Sequence, residues 1–202
     1  MPAPADARLD IDFAAVARQR RSAVDFDGIT HIDAAILFTM LDALRVRERV
    51  PPWNVLRTRP HVHAALMVHR VSGLDPGLYV FLRDSRDLAE LTACMRRDWL
   101  WRKVGPDALP LYLLLPYDLR KEAKLICCHQ DIAADSCFAL GMLAPLRRIG
   151  DEPWRYRHLF WECGMLGHVL YLEAEAAGVR ATGIGCYFDD EMHKLLGIAV
   201  VD

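Results

Sequence analysis

The sequence predicts a single α+β domain, spanning residues 1–202, in which helices flank one mixed sheet. Segments with apolar residues at helical spacing alternate irregularly with short runs of β-forming residues. Two of these runs are separated only by a turn, which is typical of a hairpin. Because 53% of the 202 residues are hydrophobic, the chain can bury a sizeable core. No repeat, low-complexity tract or linker divides it.

The first half of the chain is predicted to contain two helices followed by a hairpin. An aspartate precedes each helix and can cap it, and apolar residues recur at helical spacing within both. A basic, proline-containing loop follows, and the two strands of the hairpin flank the turn SGLDPG. These elements are a helix after Asp12, a helix after Asp33, a loop at 45–61, and strands at 62–70 and 78–83.

The second half is predicted to alternate helices with short strands. A serine cap opens the first helix, and prolines bound the apolar run LPLYLLLP that follows. The segment SCFALGMLAPL fits a strand or a buried helix equally well, because its apolar run is short. The elements are a helix at 85–95, a strand at 109–116, a helix at 118–130, the ambiguous 136–146, a long helix from Pro153 to Gly178, a strand at 179–188, a helix at 189–197 and a last strand at 198–202.

Charge, hydropathy and cysteine usage exclude several classes of protein. A formal net charge of −2 supplies no positive field for nucleic acid, and the longest apolar runs are too short to cross a bilayer. The N-terminus lacks the basic start and apolar centre of a signal peptide. None of the six cysteines forms a CxxC pair, so we interpret them as buried, reduced thiols without metal. These features predict a cytoplasmic protein that binds neither nucleic acid nor membrane.

The stretch RQRRSAVDFDG concentrates positive charge at the end of the first helix. Arg20, Arg21 and Ser22, called here the Arg-Arg-Ser motif, offer fork-shaped donors and a hydroxyl suited to a phosphate. The dipole at a helix C-terminus disfavours an anion, so the arginines themselves would have to attract it. The alternative is a solvated helix end whose arginines stabilise the dipole. Both interpretations stay open on the residues alone.

A second candidate lies near the C-terminus, in the sequence TGIG. Gly183, Ile184 and Gly185, called here the glycine turn, would let the backbone approach a planar ligand or a phosphate closely. A dinucleotide-binding fingerprint is excluded, because Phe188 stands where its third glycine belongs. The alternative is a tight turn from strand to helix, capped by Asp189.

Histidines and aromatic residues form two further patterns. His61, His63 and His69 alternate on one face of the predicted strand and could bind metal, although structural or interface roles are commoner for such residues. An aromatic cluster opens the long helix and is typical of a core or a dimer interface. Its members are Trp154, Tyr156, Phe160 and Trp161.

Four segments in order, RRSAVDFDG, VHAALMVHRVSGLDPGLYVFLRD, HQDIAADSCFALGMLA and YRHLFWECGMLGHVLYLEAEAAGVRATGIGCYFDD, give the chain a family resemblance. Together they resemble the FMN-dependent nitroreductase superfamily, and most nearly its branch of SagB-type thiazole/oxazole dehydrogenases. The similarity runs from about Arg18 to Gly197. It implies a nitroreductase-like fold with a central, mainly antiparallel sheet, and a homodimer that binds FMN at its interface. It also implies that 137–144 is a strand.

The resemblance assigns roles to the candidate residues. The Arg-Arg-Ser motif matches the family segment that grips the FMN phosphate and ribityl chain. The glycine turn matches the segment beside the isoalloxazine, with a backbone N–H near N5. Gln130 falls at a recurring family position to which no contact is assigned. The loops 45–61 and 95–108 are expected to contribute to substrate choice above the flavin.

The implied activity is hydride transfer from NADH or NADPH through FMN to an acceptor, or dehydrogenation of a small or peptidic substrate. The flavin performs this chemistry, so no catalytic side chain is assigned. The sequence departs from the family pattern in three ways, and these departures leave alternative functions open. The region PPWNVLRTRPHVH lacks the serine/glycine-rich wall, no Lys-Tyr pair of azoline oxidation is found, and the chain stops where many members continue, as a piece cut from a longer protein would. The alternatives are a flavin-free scaffold or binding module, and an azoline dehydrogenase that tailors peptides.

Overall fold

The computed structural model describes residues 12–55, 59–150 and 152–198. In these ranges, helices and short strands alternate along the chain. The helices are α1 (Phe13–Gln19), α2 (Ala34–Ala43), α3 (Leu88–Cys94), α4 (Arg120–Ile126), α5 (Asp131–Asp135), α6 (Tyr156–Ala176) and α7 (Asp189–Leu196). The strands are β1 (Ile32–Asp33), β2 (His63–Val68), β3 (Val71–Ser72), β4 (Gly77–Phe81), β5 (Arg102–Val104), β6 (Leu111–Leu115) and β7 (Phe138–Leu143). None of the described helices is both long enough and apolar enough to cross a membrane.

Five strands form the central sheet, in the order β5-β6-β4-β2-β7. Every neighbouring pair in it is antiparallel. Parallel pairing occurs between β1 and β3, which form a separate two-stranded sheet. The predicted α+β class with a mainly antiparallel sheet is therefore confirmed, as is the hairpin, whose strands β2 and β4 pair from Ala64↔Phe81 to Val68↔Gly77.

The central strand β2 is buried on both faces, which explains its nearly continuous apolar sequence. Alternate residues face two separate cores. Ala64, Leu66 and Val68 pack with α2 and α6, whereas Ala65 and Met67 pack with α4 and α7. Because each fully buried large apolar side chain contributes about 1.5–3 kcal/mol, these two cores hold the helices on opposite sides of the sheet.

The segment that fits either a strand or a helix forms β7, as the family resemblance implies. It pairs with β2 along its full length, from His63↔Leu143 to Val68↔Phe138. All six of its residues are half-buried, because β7 lies at the edge of the described sheet. This edge strand leaves one side of the sheet open to a groove.

The longest helix, α6, has 21 residues and packs one apolar stripe on the core. Its buried residues include Leu159, Leu166 and Ala174 from the predicted stripe. The helix ends at Ala176, and Gly178 follows with a positive φ of 75°, which glycine adopts without steric cost. The predicted stop at Gly178 is confirmed.

Three element predictions were wrong at their boundaries or in kind. The predicted strand at 179–188 has no strand structure, since two glycines interrupt its β-forming residues and it pairs with none of the described strands. The predicted helix at 118–130 ends at Ile126, because Cys128 and His129 adopt positive φ angles, and α5 follows it. The predicted serine cap is replaced by Asp84, whose side chain accepts a hydrogen bond from the backbone N–H of Arg86. The predicted last strand lies almost wholly outside the described residues.

Candidate functional site

A groove of about 1040 Å³ runs between β7 and α6. The segments 22–27 and 178–184 also line it, and most of its lining is apolar. Its volume lies at the upper end of the range of about 300–1,000 Å³ that ligand sites usually have. The groove is therefore large enough for a nucleotide-sized ligand.

Two glycines leave the α6 side of the groove bare. A side chain added at Gly164 would meet nothing within 4 Å, and one at Gly167 would meet only the Met142 Cε, at 4.0 Å. Because the two residues are three apart on a helix, they lie on the same face. They form a flat patch against which a planar group can pack closely.

One tyrosine joins the two candidate segments at the polar end of the groove. The Gly183 backbone N–H donates a 2.6 Å hydrogen bond to the Tyr171 hydroxyl. The same hydroxyl lies 3.0 Å from the Ser22 Oγ. The Arg20 guanidinium lies over the Tyr171 ring, 4.8 Å from its centroid. The Ala23 N–H also donates to the Ala181 carbonyl at 2.9 Å, so the two segments are held side by side.

The two arginines of the Arg-Arg-Ser motif have different surroundings. Arg21 is exposed, and its Nη1 donates to the carbonyls of Arg18 and Arg20 at 2.7 and 2.8 Å. It thus satisfies carbonyls at the C-terminal end of α1, as a helix-end arginine would. Arg20 is half-buried against Tyr171 and lies beside the groove without lining it, whereas Arg180 lines the groove. Arg20 and Arg180 are therefore better placed than Arg21 to meet a phosphate.

Gln130 lies behind the glycine turn rather than in the groove. Its Nε2 donates to the Cys127 carbonyl at 2.9 Å and, more weakly, to the Cys186 carbonyl at 3.5 Å. Ile184 packs against the core that contains α4 and α7, while a side chain added at Gly185 would meet nothing within 4 Å. These contacts anchor the turn and leave its glycine edge open.

A disulfide between Cys128 and Cys186 fastens the same turn, with the two Cα atoms 5.9 Å apart. The prediction that all six cysteines are buried, reduced thiols was wrong for this pair, and Cys94 is exposed. Spacing could not reveal the pairing, because the two residues are 58 apart in the chain and the fold brings them together. The cysteines therefore give no support to a cytoplasmic location.

Five titratable side chains that line the groove have shifted pKa values, and burial raises the pKa of four of them: Cys127, Cys137, Cys163 and Tyr187. Hydrogen bonds from the Thr30 hydroxyl and from the N–H groups of Thr30 and Ile29 lower the pKa of Asp27 to about 2. Burial, aided by the nearby Glu162 carboxylate, raises the pKa of the Cys163 thiol to about 11. Cys163 is therefore a neutral thiol at pH 7 and a poor nucleophile.

The three histidines do not converge. The His63 Nε2 lies 3.0 Å from an Asp87 carboxylate oxygen, and its Nδ1 accepts a hydrogen bond from the Arg83 N–H. His69 lies beyond the opposite end of β2, so it cannot share a ligand with His63. Within the ranges that the structure describes, no three His, Cys, Asp or Glu side chains are arranged to hold a metal ion.

The aromatic cluster at the start of α6 is exposed, which excludes the core alternative. Phe160 is 61% exposed and Trp161 is 56% exposed, and Trp154 and Tyr156 are also solvent-accessible. Phe160 lines the groove. Of the predicted loops 45–61 and 95–108, the residues that the structure describes (45–55, 59–61 and 95–108) do not line the groove.

Comparisons with known proteins identify the fold of the chain. No family model and no curated protein matches the chain. A solved structure assigned as a nitroreductase from Anabaena variabilis ATCC 29413 superposes with a TM-score of 0.67 and 21% identity, covering 93% of this chain and 35% of that one. A second, from Ralstonia eutropha JMP134, gives 0.65 and 16%, covering 98% and 81%. The E. coli microcin synthetase McbBCD complex with truncated pro-MccB17 gives 0.62 and 13%, covering 98% and 71%.

The chain has the nitroreductase fold, which confirms the resemblance at the level of structure. It spans about a third of the length of the Anabaena protein. Tyr171 and the bare face at Gly164 and Gly167 were missed by the sequence prediction. Their spacing along a helix is a readable signal, because residues 164, 167 and 171 fall on one face.

Proposed function

We propose that the groove binds FMN and that the protein is an FMN-dependent oxidoreductase of nitroreductase type. The observation that carries this proposal is the set of contacts that Tyr171 makes with both candidate segments. It brings Arg20 and Ser22 of one predicted segment together with Gly183 of the other, at one end of an apolar groove. A ligand with a phosphate at one end and a flat, largely apolar ring at the other matches that arrangement.

The residues fit the parts of FMN in turn. Arg20, Arg180 and the Ser22 hydroxyl supply cations and a donor for the phosphate. The bare face at Gly164 and Gly167 gives the isoalloxazine ring a surface without side chains. Gly183 and Ile184 of the glycine turn line the groove, and Gln130 and the disulfide fasten the turn, so it would offer the flavin a rigid backbone edge.

When bound, FMN would supply the hydride chemistry. The chain's own residues would hold the phosphate, fix the ring and exclude water from it. No nucleophilic side chain is needed for this, which agrees with the neutral Cys163 thiol in the groove wall. We infer NADH or NADPH as the hydride donor from the proposed nitroreductase-type activity. The shape of the groove identifies neither this donor nor the final acceptor.

A homodimer completes the proposal. Phe160 lines the groove and is exposed, and the neighbouring aromatic side chains are exposed as well. Exposed apolar patches of this kind mark interaction surfaces. A second copy of the chain that covers them would bury the aromatic rings and shield the flavin.

The test is reduction of reconstituted protein. Protein saturated with FMN and freed of excess flavin should be yellow and should bleach when NADH or NADPH is added under anaerobic conditions. Melting temperature should rise with FMN, since saturating ligand at a hundred times its Kd adds about 2.7 kcal/mol of stability. Adenosine monophosphate serves as the control ligand for the phosphate alone. A colourless protein whose melting temperature FMN does not change would contradict the proposal.

The flavin-free alternative has one observation in its favour. In the structure, the Tyr171 hydroxyl already forms hydrogen bonds with the Ser22 hydroxyl and the Gly183 N–H. A scaffold protein would keep this closed arrangement and bind no flavin. The thermal measurement with FMN separates the two functions, while an azoline dehydrogenase would require the flavin and also a peptide substrate.

A further inference from the structure

We propose that Tyr171 is a positioning residue that orients the Ser22 hydroxyl and Arg20 toward the cofactor phosphate. This rests on the proposed function, because it concerns the phosphate end of the same groove. The family resemblance assigns roles to the Arg-Arg-Ser motif and to the glycine turn, and none to Tyr171. The proposal follows from the hydrogen bonds that Tyr171 makes.

The direction of the hydrogen bonds follows from the donor and acceptor inventory. A backbone N–H can only donate, so in the 2.6 Å contact the Tyr171 oxygen accepts from Gly183. In the 3.0 Å contact between the Tyr171 hydroxyl and the Ser22 Oγ either hydroxyl can donate, and an anion that accepts the serine proton leaves the phenol as the donor. With an anion bound, donation therefore runs from Gly183 through Tyr171 to Ser22.

This direction leaves the serine proton available. A serine hydroxyl has one proton and accepting lone pairs, so a serine that accepts from Tyr171 keeps its own proton for a third group. Phosphate oxygens accept hydrogen bonds, and a charged acceptor binds such a proton more strongly than a neutral one. Tyr171 therefore orients Ser22 as a donor toward an anion.

The ring of Tyr171 orients the neighbouring cation as well. The Arg20 guanidinium lies 4.8 Å from the ring centroid, within the range of a cation–π contact. This contact keeps the guanidinium beside Ser22, where it otherwise has the freedom of a long side chain. One side chain thus positions both the charge and the hydroxyl.

The helix relates this end of the groove to the other. Tyr171 lies four residues after Gly167 and seven after Gly164, so all three share one face of α6. Along the helix axis, Gly164 and Tyr171 are about 10 Å apart. A rigid helix thus sets the distance between the surface for the ring and the donors for the phosphate.

The test compares FMN with riboflavin, which lacks the phosphate. Binding of each flavin is measured by fluorescence quenching in the cofactor-free wild type and in Tyr171→Phe, Ser22→Ala and the double variant. The preference for FMN over riboflavin should fall about 5- to 10-fold in Tyr171→Phe and by a similar factor in Ser22→Ala. The double variant should lose no more than Ser22→Ala alone, because both changes remove one interaction.

Tyr117→Phe is the matched control, since Tyr117 is exposed and lies outside the groove. It should leave the preference unchanged. A second readout needs no flavin, because hydrogen–deuterium exchange at the Gly183 amide should accelerate in Tyr171→Phe and stay unchanged in Tyr117→Phe.

Failure of this inference can be told from failure of the proposed function. A wild type that binds neither flavin overturns both. A wild type that prefers FMN, with Tyr171→Phe retaining the full preference or weakening both flavins equally, overturns the role of Tyr171 alone. Unchanged exchange at the Gly183 amide in Tyr171→Phe would also overturn it.

Discussion

At the scale of single residues, Glu162 is the buried charge that ties α6 to the sheet. Its carboxylate accepts hydrogen bonds from the Arg83 Nη1 and from the backbone N–H groups of His61 and Val62. Arg83 also donates to the Leu44 carbonyl at 2.8 Å. The two side chains are 0% and 5% exposed. Removing one partner therefore leaves an uncompensated buried charge.

We expect Glu162→Gln to lower the free energy of unfolding by about 3–5 kcal/mol, the usual cost of breaking a buried ion pair. Urea denaturation measures the change. Glu191→Gln is the matched control, because its partner Lys194 is exposed and such pairs contribute about 0–1 kcal/mol. Replacing both buried partners by apolar residues, as in Arg83→Met with Glu162→Leu, should restore much of the loss. Equal effects of Glu162→Gln and the control would contradict this account.

His69 couples folding to pH. Burial, and then the charge of Arg70, lower its pKa from 6.5 to about 4, while the carboxylate of Asp118 acts in the opposite direction. The unfolded chain therefore binds a proton between pH 6.5 and 4 that the folded protein does not. The stability that a neutral His69 contributes is complete above pH 6.5 and is lost as the pH falls toward 4.

We expect acidification across this window to cost the wild type about 3 kcal/mol at most from this residue, by the conversion of about 1.4 kcal/mol for each pH unit. Urea unfolding at several pH values measures it. In His69→Leu the curve of stability against pH should be flatter between 6.5 and 4, because no imidazole titrates. A variant curve parallel to that of the wild type would show that His69 is not the group responsible.

At the scale of elements, the bare face of α6 is the feature that shapes the groove. Glycine weakens a helix interior by about 0.5–1 kcal/mol relative to alanine, so two glycines facing the groove lower the helix's own stability. The space above Gly164 is open, and the residue lines the groove. In the proposed flavin site, the ring would lie against this surface.

Gly164→Ala and Gly164→Leu form a matched pair for this feature. Both should keep or raise the free energy of unfolding, by about 0.5–1 kcal/mol for alanine, because both favour helix over glycine. Gly164→Leu should abolish FMN binding by filling the groove, while Gly164→Ala should weaken it less. Calorimetry measures the change in the free energy of unfolding, and titration with FMN measures the change in FMN affinity. If Gly164→Leu bound FMN as tightly as the wild type, the flavin ring could not lie against this face of α6.

The elements show what the sequence could and could not predict. The hairpin of β2 and β4 was predictable, because β-forming runs flank a turn with Pro76 and Gly77. Strand β5 was missed, because its sequence Arg102-Lys-Val104 lacks an apolar pattern and it exists through pairing with β6. The two candidate segments were chosen from the sequence, and their role stays a prediction; the contact through Tyr171 could not be predicted, since Tyr171 is 149 residues from Ser22.

At the scale of the whole molecule, the proposed dimer rests on the exposed aromatic surface at the start of α6. Phe160, one of its residues, lines the groove. A dimer that buries this surface would account for aromatic rings that the single chain leaves in solvent.

We expect the protein to have twice the 22.9 kDa of one chain in solution. Trp161→Glu places a charge in the proposed interface, where burying it unpaired is costly, so the variant should shift toward the monomer and lose FMN affinity. Light scattering after gel filtration measures the mass. Glu substitution at the exposed Leu100, outside the aromatic cluster, is the control. A wild type of single-chain mass would contradict the dimer.

Titration of the cofactor-free protein with FMN tests the central claim most directly, with wild type and Arg20→Ala measured side by side by flavin fluorescence. The wild type should show saturable binding of one FMN per chain. Arg20→Ala should bind FMN more weakly by about 1.5–3 kcal/mol, the usual size of a hydrogen bond to a charged group. No binding by the wild type, or equal affinity in the two proteins with the dimer intact, would contradict a flavin site whose phosphate end lies at Arg20.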